Sequence, residues 1–407
     1  MTPKGREYSN TTPASLQGLL PELVEVVASF LEATDLCKLR MTCRTLYNNT
    51  HDVFWCTSLR NIQTDLSHAS LTKLNILSNN PQLSRYVHRL TFKGFAGNGD
   101  ILGQGLDWNR HSSGHLIDLQ EQPGVKLLRP ILSRLPNCKS FECCSISTPD
   151  HVALEGITGA TDAAQVILDI VAETRLSVAS FSANLSGRSY LDPRRFQLDY
   201  FKKSGFVERW AHLEELILHF TPDDEVILDW ATQLILLARN VKKLNMSLGT
   251  DRNTFIFMRR LAKTEKSLAW PQLQELRLSR ASSSFADLTA LLHECQQTLR
   301  VLHIGLLATD ATLSDLQIFF QTLRTGFPLE EIDFGAWLSR PHTGIQRLWA
   351  VHYPRLLDNL NMDEGEKVRV NVREMGSDGE QRTRLVAYSG PQVRAVLDAL
   401  ARSVDFV

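Results

Sequence analysis

No run of about 18 apolar residues occurs anywhere in this 407-residue chain, so no membrane-spanning helix is written into it. Charge of one sign is missing too. The 44 Lys and Arg against 45 Asp and Glu leave a net charge of −1, and no global field draws the protein to nucleic acid or to an anionic membrane. Residues 1–15, MTPKGREYSNTTPAS, are polar and lack the apolar centre of a secretory signal. The catalytic signatures Gly-x-Ser-x-Gly, His-Glu-x-x-His and the Walker loop do not occur. Cysteine is sparse and irregular. The seven thiols (Cys37, Cys43, Cys56, Cys138, Cys143, Cys144 and Cys295) form an odd, scattered set, and several sit in apolar patterns where a free thiol acts as a small hydrophobe. This usage fits a reducing compartment, cytosol or nucleus, and the sequons at Asn10, Asn48, Asn184 and Asn245 then carry no glycosylation signal.

What is present is the composition of a globular protein, 43% hydrophobic and 22% charged. The length allows one large core or two to three ordinary ones.

Residues 20–55 carry an ordered pattern: Leu20-Pro21-Glu22-Leu23, Phe30-Leu31, Asp35-Leu36-x-x-Leu39-Arg40, Thr42-Cys43-Arg44-x-Leu46-Tyr47 and Phe54-Trp55. Pro21 suits the first turn of a helix, where its missing N–H costs nothing. Leu23, Val26, Val27, Phe30 and Leu31 then recur at helical spacing, with Glu22 and Glu25 at the end favoured by the dipole. A second helix is expected with Thr34 as N-cap and Asp35 in its first turn. Its inner face is Leu36, Leu39, Cys43, Leu46 and Tyr47, while Lys38, Arg40 and Arg44 fill its later turns. Phe54 and Trp55 close the segment as apolar plugs. So short a segment cannot enclose a core alone. Periodicity by itself is met equally by a helical hairpin packed on the rest of the chain.

The order of these residues resembles an F-box. The resemblance implies a small all-α module whose Leu-Pro loop and first helices bind a Skp-type adaptor, which bridges to a cullin and a RING subunit. Matched by position, the implied adaptor contacts are Leu20, Pro21, Leu23, Val27, Leu31, Leu36, Leu39, Cys43 and Trp55. One departure is Gly18, which loosens the entry to the Leu-Pro pair.

Beyond residue 60 a degenerate repeat takes over. Leu213-x-x-Leu216-x-Leu218, Val241-x-x-Leu244-x-Met246, Leu273-x-x-Leu276-x-Leu278, Leu299-x-x-Leu302-x-Ile304 and Leu329-x-x-Ile332-x-Phe334 recur at about 30 residues. Weaker copies are Val87-x-x-Leu90-x-Phe92, Cys138-x-x-Phe141-x-Cys143 and Val178-x-x-Phe181-x-Ala183. A short apolar strand and a helix per copy resembles a leucine-rich-repeat solenoid. Ser284-x-x-Asp287 and Thr312-x-x-Asp315 mark helix starts as capping boxes with Asp, and Gly326 stands where a C-cap glycine belongs.

The expected fold class is α/β: a small all-α F-box module, then a leucine-rich-repeat-like α/β solenoid with a C-terminal hairpin-helix cap. The expected divisions are a disordered N-terminus at 1–14, the F-box at 15–60, a helical linker at 61–86, the solenoid at 87–338 and the cap at 339–407. Insertions are expected near 94–124 and 184–206. In the cap, Lys367–Glu374 and Arg382–Tyr388 alternate around a Gly-Ser-Asp-Gly turn as a hairpin, Arg340–Leu360 ends helically, and Pro391 opens a terminal helix.

Chemical constellations are weak. Gly97-x-Gly99-x-x-x-Gly103 lacks a following helix to receive a phosphate and reads as a flexible loop. Cys138, Cys143 and Cys144 lack zinc-ligand spacing, and His111 and His115 lie in Ser/Gly-rich sequence, so no metal or cofactor is expected. Arg188, Arg194, Arg195, Lys202 and Lys203 interleave with aromatics. They form either a solvated insertion or a patch for an acidic or phosphorylated peptide of a target protein. The resemblances together imply a non-catalytic substrate receptor of an SCF-type ubiquitin ligase, similar to the large fungal set of such receptors. The alternative is an interaction scaffold with no role in ubiquitination.

Overall fold

The computed structural model describes residues 16–94, 102–144, 158–185, 195–249, 252–263, 270–339, 349–353, 356, 360, 371–375 and 383–406. The expected disordered N-terminus, Gly97 and Gly99, Arg188 and Arg194, the hairpin turn near Gly376 and most of 340–360 lie outside these residues.

Four helices come first: α1 (Pro21–Ser29), α2 (Ala33–Thr42), α3 (Arg44–Asn49) and α4 (His51–Leu59). Next come β1 (Asn61–Thr64), α5 (His68–Ser78), α6 (Pro81–Ser84) and β2 (Arg89–Phe92). Helix and strand then alternate through α7 (Pro123–Ser133), β3 (Ser140–Cys144), α8 (Ala160–Glu173), β4 (Ser180–Asn184) and α9 (Ser204–Trp210). The alternation continues through β5 (Glu215–His219), α10 (Glu225–Leu237), β6 (Lys243–Ser247) and α11 (Arg252–Lys263). Later units hold two strands each: β7 (Glu275–Ser279) and β8 (Ala281–Ser283) before α12 (Phe285–His293), then β9 (Val301–Ile304) and β10 (Leu307–Thr309) before α13 (Leu313–Gly326). The chain closes with β11 (Glu331–Phe334), β12 (Trp337–Ser339), β13 (Trp349–His352), β14 (Asn371–Met375), β15 (Thr383–Ser389), α14 (Val393–Ser403) and β16 (Asp405–Phe406).

The fold is mixed α/β with a mostly parallel sheet. Its eleven strands run β1-β2-β3-β4-β5-β6-β7-β9-β11-β15-β14. Every pair from β1 to β11 is parallel, and β15 and β14 are antiparallel. The register is uniform. Leu90, Phe141, Phe181, Leu216, Leu244, Leu276, Leu302 and Ile332 align in one buried column. Phe92, Cys143, Ala183, Leu218, Met246, Leu278, Ile304 and Phe334 align in a second. Side chains alternate across a strand with period two, so this register sends both columns to the helix side and the polar residues between them outward.

A five-stranded second sheet, β8-β10-β12-β13-β16, packs beside the first. The chain turns between the two sheets at Arg280, which takes φ +52°, at Gly305 and at Gly335. A Cβ on Gly335 would lie 2.8 Å from the Gly305 backbone, so this corner tolerates only glycine.

Several expectations need correction. The stretch expected as a helical linker opens with β1, which pairs with β2 and forms the first edge of the sheet. Gly326 is the last residue of α13 and not its cap, which is Phe327. Its missing side chain makes room for Gln296, whose Nε2 would sit 2.6 Å from a Cβ. The region before the hairpin contributes strand β13 to the second sheet. The hairpin itself forms as expected, and β15 closes the open edge of β11.

Candidate functional site

The four N-terminal helices pack on one another and are tied to the sheet at one end. The Tyr86 hydroxyl donates to the Asp52 carboxylate of α4, and Arg85 reaches the same oxygen at 3.5 Å. Burial, then the bond to Asp52, raises the Tyr86 phenol above its ordinary value. The Arg60 carbonyl accepts from the backbone N–H groups of His88 (3.0 Å) and Arg89 (2.9 Å), so α4 runs straight into β1.

Helix α1 starts at Pro21 with Leu20 as its N-cap residue. Its inward stripe is small, only Val24 and Ala28. The large residues of the apolar periodicity point away: Leu20, Leu23, Val26, Val27 and Phe30 are exposed, Phe30 to 83%. Met41 on α2 (86%) and Tyr47 on α3 add to this surface. Of the eleven large hydrophobics exposed among the described residues, eight lie between Leu19 and Tyr47, so the apolar surface is concentrated here and not scattered.

The sequence predicts one second helix, and the structure shows two. Cys43 is extended (φ −159°, ψ 162°), which ends α2, and its Sγ accepts from the Leu46 N–H at 3.4 Å as the N-cap of α3. The N-cap of α2 is Glu32, not Thr34, and Asp35 is in the first turn as expected. Lys38 pairs with Asp35 at 2.8 Å on the exposed side.

The residue that sequence reasoning missed is Arg40. It lies in the last turn of α2, as expected, but its side chain is buried at the junction of three helices. Its guanidinium lies 4.1 Å from the Tyr47 ring centroid and 4.4 Å from that of Phe54. Its Nη1 donates to the Tyr47 carbonyl (3.0 Å) and to Thr50 Oγ1 (3.3 Å), and Thr50 Oγ1 donates onward to the Leu46 carbonyl (2.6 Å). A cation over two rings with carbonyl acceptors gives this small module a polar centre.

Of the implied adaptor contacts, Leu20, Pro21, Leu23 and Val27 are exposed, and Leu31, Leu39, Cys43 and Trp55 are half-buried. Leu36 is fully buried, unlike the other implied contacts. Trp55 packs edge-on to Phe54 at 4.9 Å, and its Nε1 is shielded with no partner among the described residues.

The described residues of the basic segment, Arg195, Lys202 and Lys203, are each engaged in ion pairs. Arg195 turns inward and pairs with Asp162 at 3.0 Å, beside Arg110, which reaches the same carboxylate at 2.9 Å. Lys203 pairs with Asp169 and Glu173, and Lys202 with Asp199. Phe196, Tyr200 and Phe201 are buried, and the Tyr200 hydroxyl accepts from Trp230 Nε1 at 2.8 Å. The described parts of both insertions thus cover α8, whose Asp162, Gln165 and Asp169 supply the buried polar anchors.

Gly103 (φ +74°) accepts from Trp108 Nε1 at 3.1 Å and closes its loop onto the core. Cys138 and Cys143 are buried, and burial lifts the Cys138 thiol to about 12, so neither is a ready thiolate. His111 and His115 stack at 4.8 Å and share the Ser113 hydroxyl. No group of three metal-ligating side chains occurs, and no helix is long and apolar enough to cross a membrane, among the described residues. Neither a protein-family model nor a curated protein matches the chain.

Proposed function

We propose that this chain is a non-catalytic substrate receptor of an SCF-type ubiquitin ligase. Its N-terminal helices act as an F-box that docks a Skp-type adaptor, and through it a cullin and a RING subunit. The observation that carries this reading is the turned-out apolar face of α1, with Leu20, Leu23, Val26, Val27 and Phe30 exposed beside Met41 and Tyr47. A concentrated exposed surface of that composition is the kind that a protein partner covers.

In this reading the strand–helix body is a leucine-rich-repeat-like solenoid. The unbroken parallel order and the repeated two-column register support that, because each unit buries its inner face only against its neighbours. The target would meet the outward strand face, where Lys243, Glu275 and Arg277 form a chain of paired charges and His303 meets Glu331 at 2.7 Å. The chain then contributes proximity: a tethered target sees the ligase at an effective concentration of order millimolar. A scaffold that binds partners without ubiquitination would use the same surfaces.

Purification of the full chain from cells tests the reading. Adaptor and cullin should co-purify, and both should be lost together with Leu23→Asp. A chain that captures neither would refute it, whereas capture of the adaptor without the cullin would favour the scaffold.

A further inference from the structure

A cleft of about 580 Å³ lies between the C-terminal ends of α7 and α8, on the loops that lead into β3 and β4. Its lining includes Arg129, Lys139 and Arg175, together with Ser133, Thr174 and Ser177. Leucine, proline and Cys138 complete the wall, and no Asp or Glu lines it. A volume of this order suits a small ligand.

The three cations are unengaged. None of their side chains makes a hydrogen bond or ion pair with a described residue. Arg129 is the most constrained, because its Nε and Nη2 are shut off from solvent and have no partner among the described residues. Asp169 and Glu121 feel its charge from a distance, but they are bonded to Lys203 and Lys126 respectively. Arg110 is different, because its largely shielded guanidinium meets Asp162 at 2.9 Å. Shielded guanidinium nitrogens without an acceptor are costly, and the remaining Nη1 can donate to a phosphate oxygen. Three positive charges exceed what one carboxylate would balance. A phosphomonoester brings close to two negative charges and three acceptor oxygens. The Ser177 hydroxyl makes no bond to a described residue and faces the same cleft, and the leucine and proline wall suits an organic remainder.

We propose that this cleft is an anion site that takes a phosphomonoester group on a small organic carrier, held by Arg129, Lys139 and Arg175. The site stands apart from the adaptor-docking reading and does not depend on it. The group could arrive on a free solute or on a phosphorylated side chain of a peptide, and the two probes below separate these sources.

Calorimetric titration of the full chain with phenyl phosphate, and separately with a short phosphoserine peptide, is the test. Saturable binding of at least one probe is expected, weakened at least tenfold by Arg129→Gln. Tighter binding of phenyl phosphate assigns a free solute, and tighter binding of the peptide assigns a phosphorylated side chain. The probe should also raise the melting temperature of the parent chain and not that of Arg129→Gln. Should that variant fail to fold, the exposed pair Lys139→Gln with Arg175→Gln carries the same tenfold expectation. No saturable binding of either probe at millimolar concentration, or unchanged affinity in these variants, overturns the proposal.

Discussion

The N-terminal helices and the sheet body use the same kinds of residue in opposite directions. Along the strands, the motif Leu, Ile and Phe side chains point to the helices, and polar side chains face outward. Along α1, Leu23, Val26, Val27 and Phe30 face outward, and the inward stripe is Val24 and Ala28. The body is long enough for each unit to cover its neighbour. Four short helices have too little volume to cover their own large side chains. The contrast teaches that burial in this chain follows the supply of neighbours, not residue type, and that the shortfall in the module is what a partner would fill.

The sharpest way to break the comparison is to place one charge in each region. Leu244→Asp puts a carboxylate into the inner column and should cost more than about 4 kcal/mol, enough to abolish a cooperative unfolding transition. Phe30→Asp should stay within about 0.5 kcal/mol of the parent, because that side chain already meets water. If circular dichroism melts show equal losses for the two, the outward face of α1 is not a surface.

Next in size is Arg40→Met. It strips the Tyr47 carbonyl and Thr50 hydroxyl of their donor inside the module and should cost about 1–3 kcal/mol. The loss should be local. Amides of α2 and α3 should exchange faster with deuterium while those of β5 and β6 keep their protection; uniform loss across both regions would show that module and body unfold as one unit.

Gly335→Val tests the body in the same range, about 1–3 kcal/mol, since its side chain would press on the Gly305 backbone. A denaturant midpoint equal to the parent's would contradict the close stacking at that corner.

The smallest effect belongs to the cap of α13. Hydrogen bonds from the Thr312 hydroxyl, then from its backbone N–H, hold the Asp315 carboxyl below its ordinary value of 3.8. A carboxyl depressed in the folded state lends stability above the unfolded value and loses it as acidification passes the folded one. Asp315→Asn should therefore cost about 0.5–1 kcal/mol at pH 6 and less at pH 3, below the unfolded value. Urea midpoints at the two pH values would show this, and an equal penalty at both would rule out the linkage.

Much of the body was legible because its signal is periodic. All eight copies of the strand motif, from Val87-Leu90-Phe92 to Leu329-Ile332-Phe334, are buried in one common register. The Thr312–Asp315 box and the terminal hairpin were legible for the same reason, local chemistry at fixed spacing. Three features were not. Strand β1 lies one repeat length before β2 but brings only Ile62 and Thr64 to the motif positions, too little apolar signal to mark it. The second sheet arises from strands of two to four residues, too short for a period to show. Arg195 and Lys203 read as surface charge because their partners Asp162 and Asp169 lie on a distant helix. Within the module, helical spacing identified the apolar face of α1 but not its direction. Arg40 was invisible for the reverse reason: a charged residue scores as surface unless its two aromatic neighbours are known in advance.

The most direct measurement is the affinity of the purified full chain for a Skp-type adaptor, taken beside its melting temperature. The account predicts tight association for the parent chain and at least a hundredfold loss for Leu23→Asp with Phe30→Asp, about 3 kcal/mol by alanine-scan experience, at a melting temperature within about 2 °C of the parent. Undiminished affinity in that double variant, with the fold intact, would contradict it.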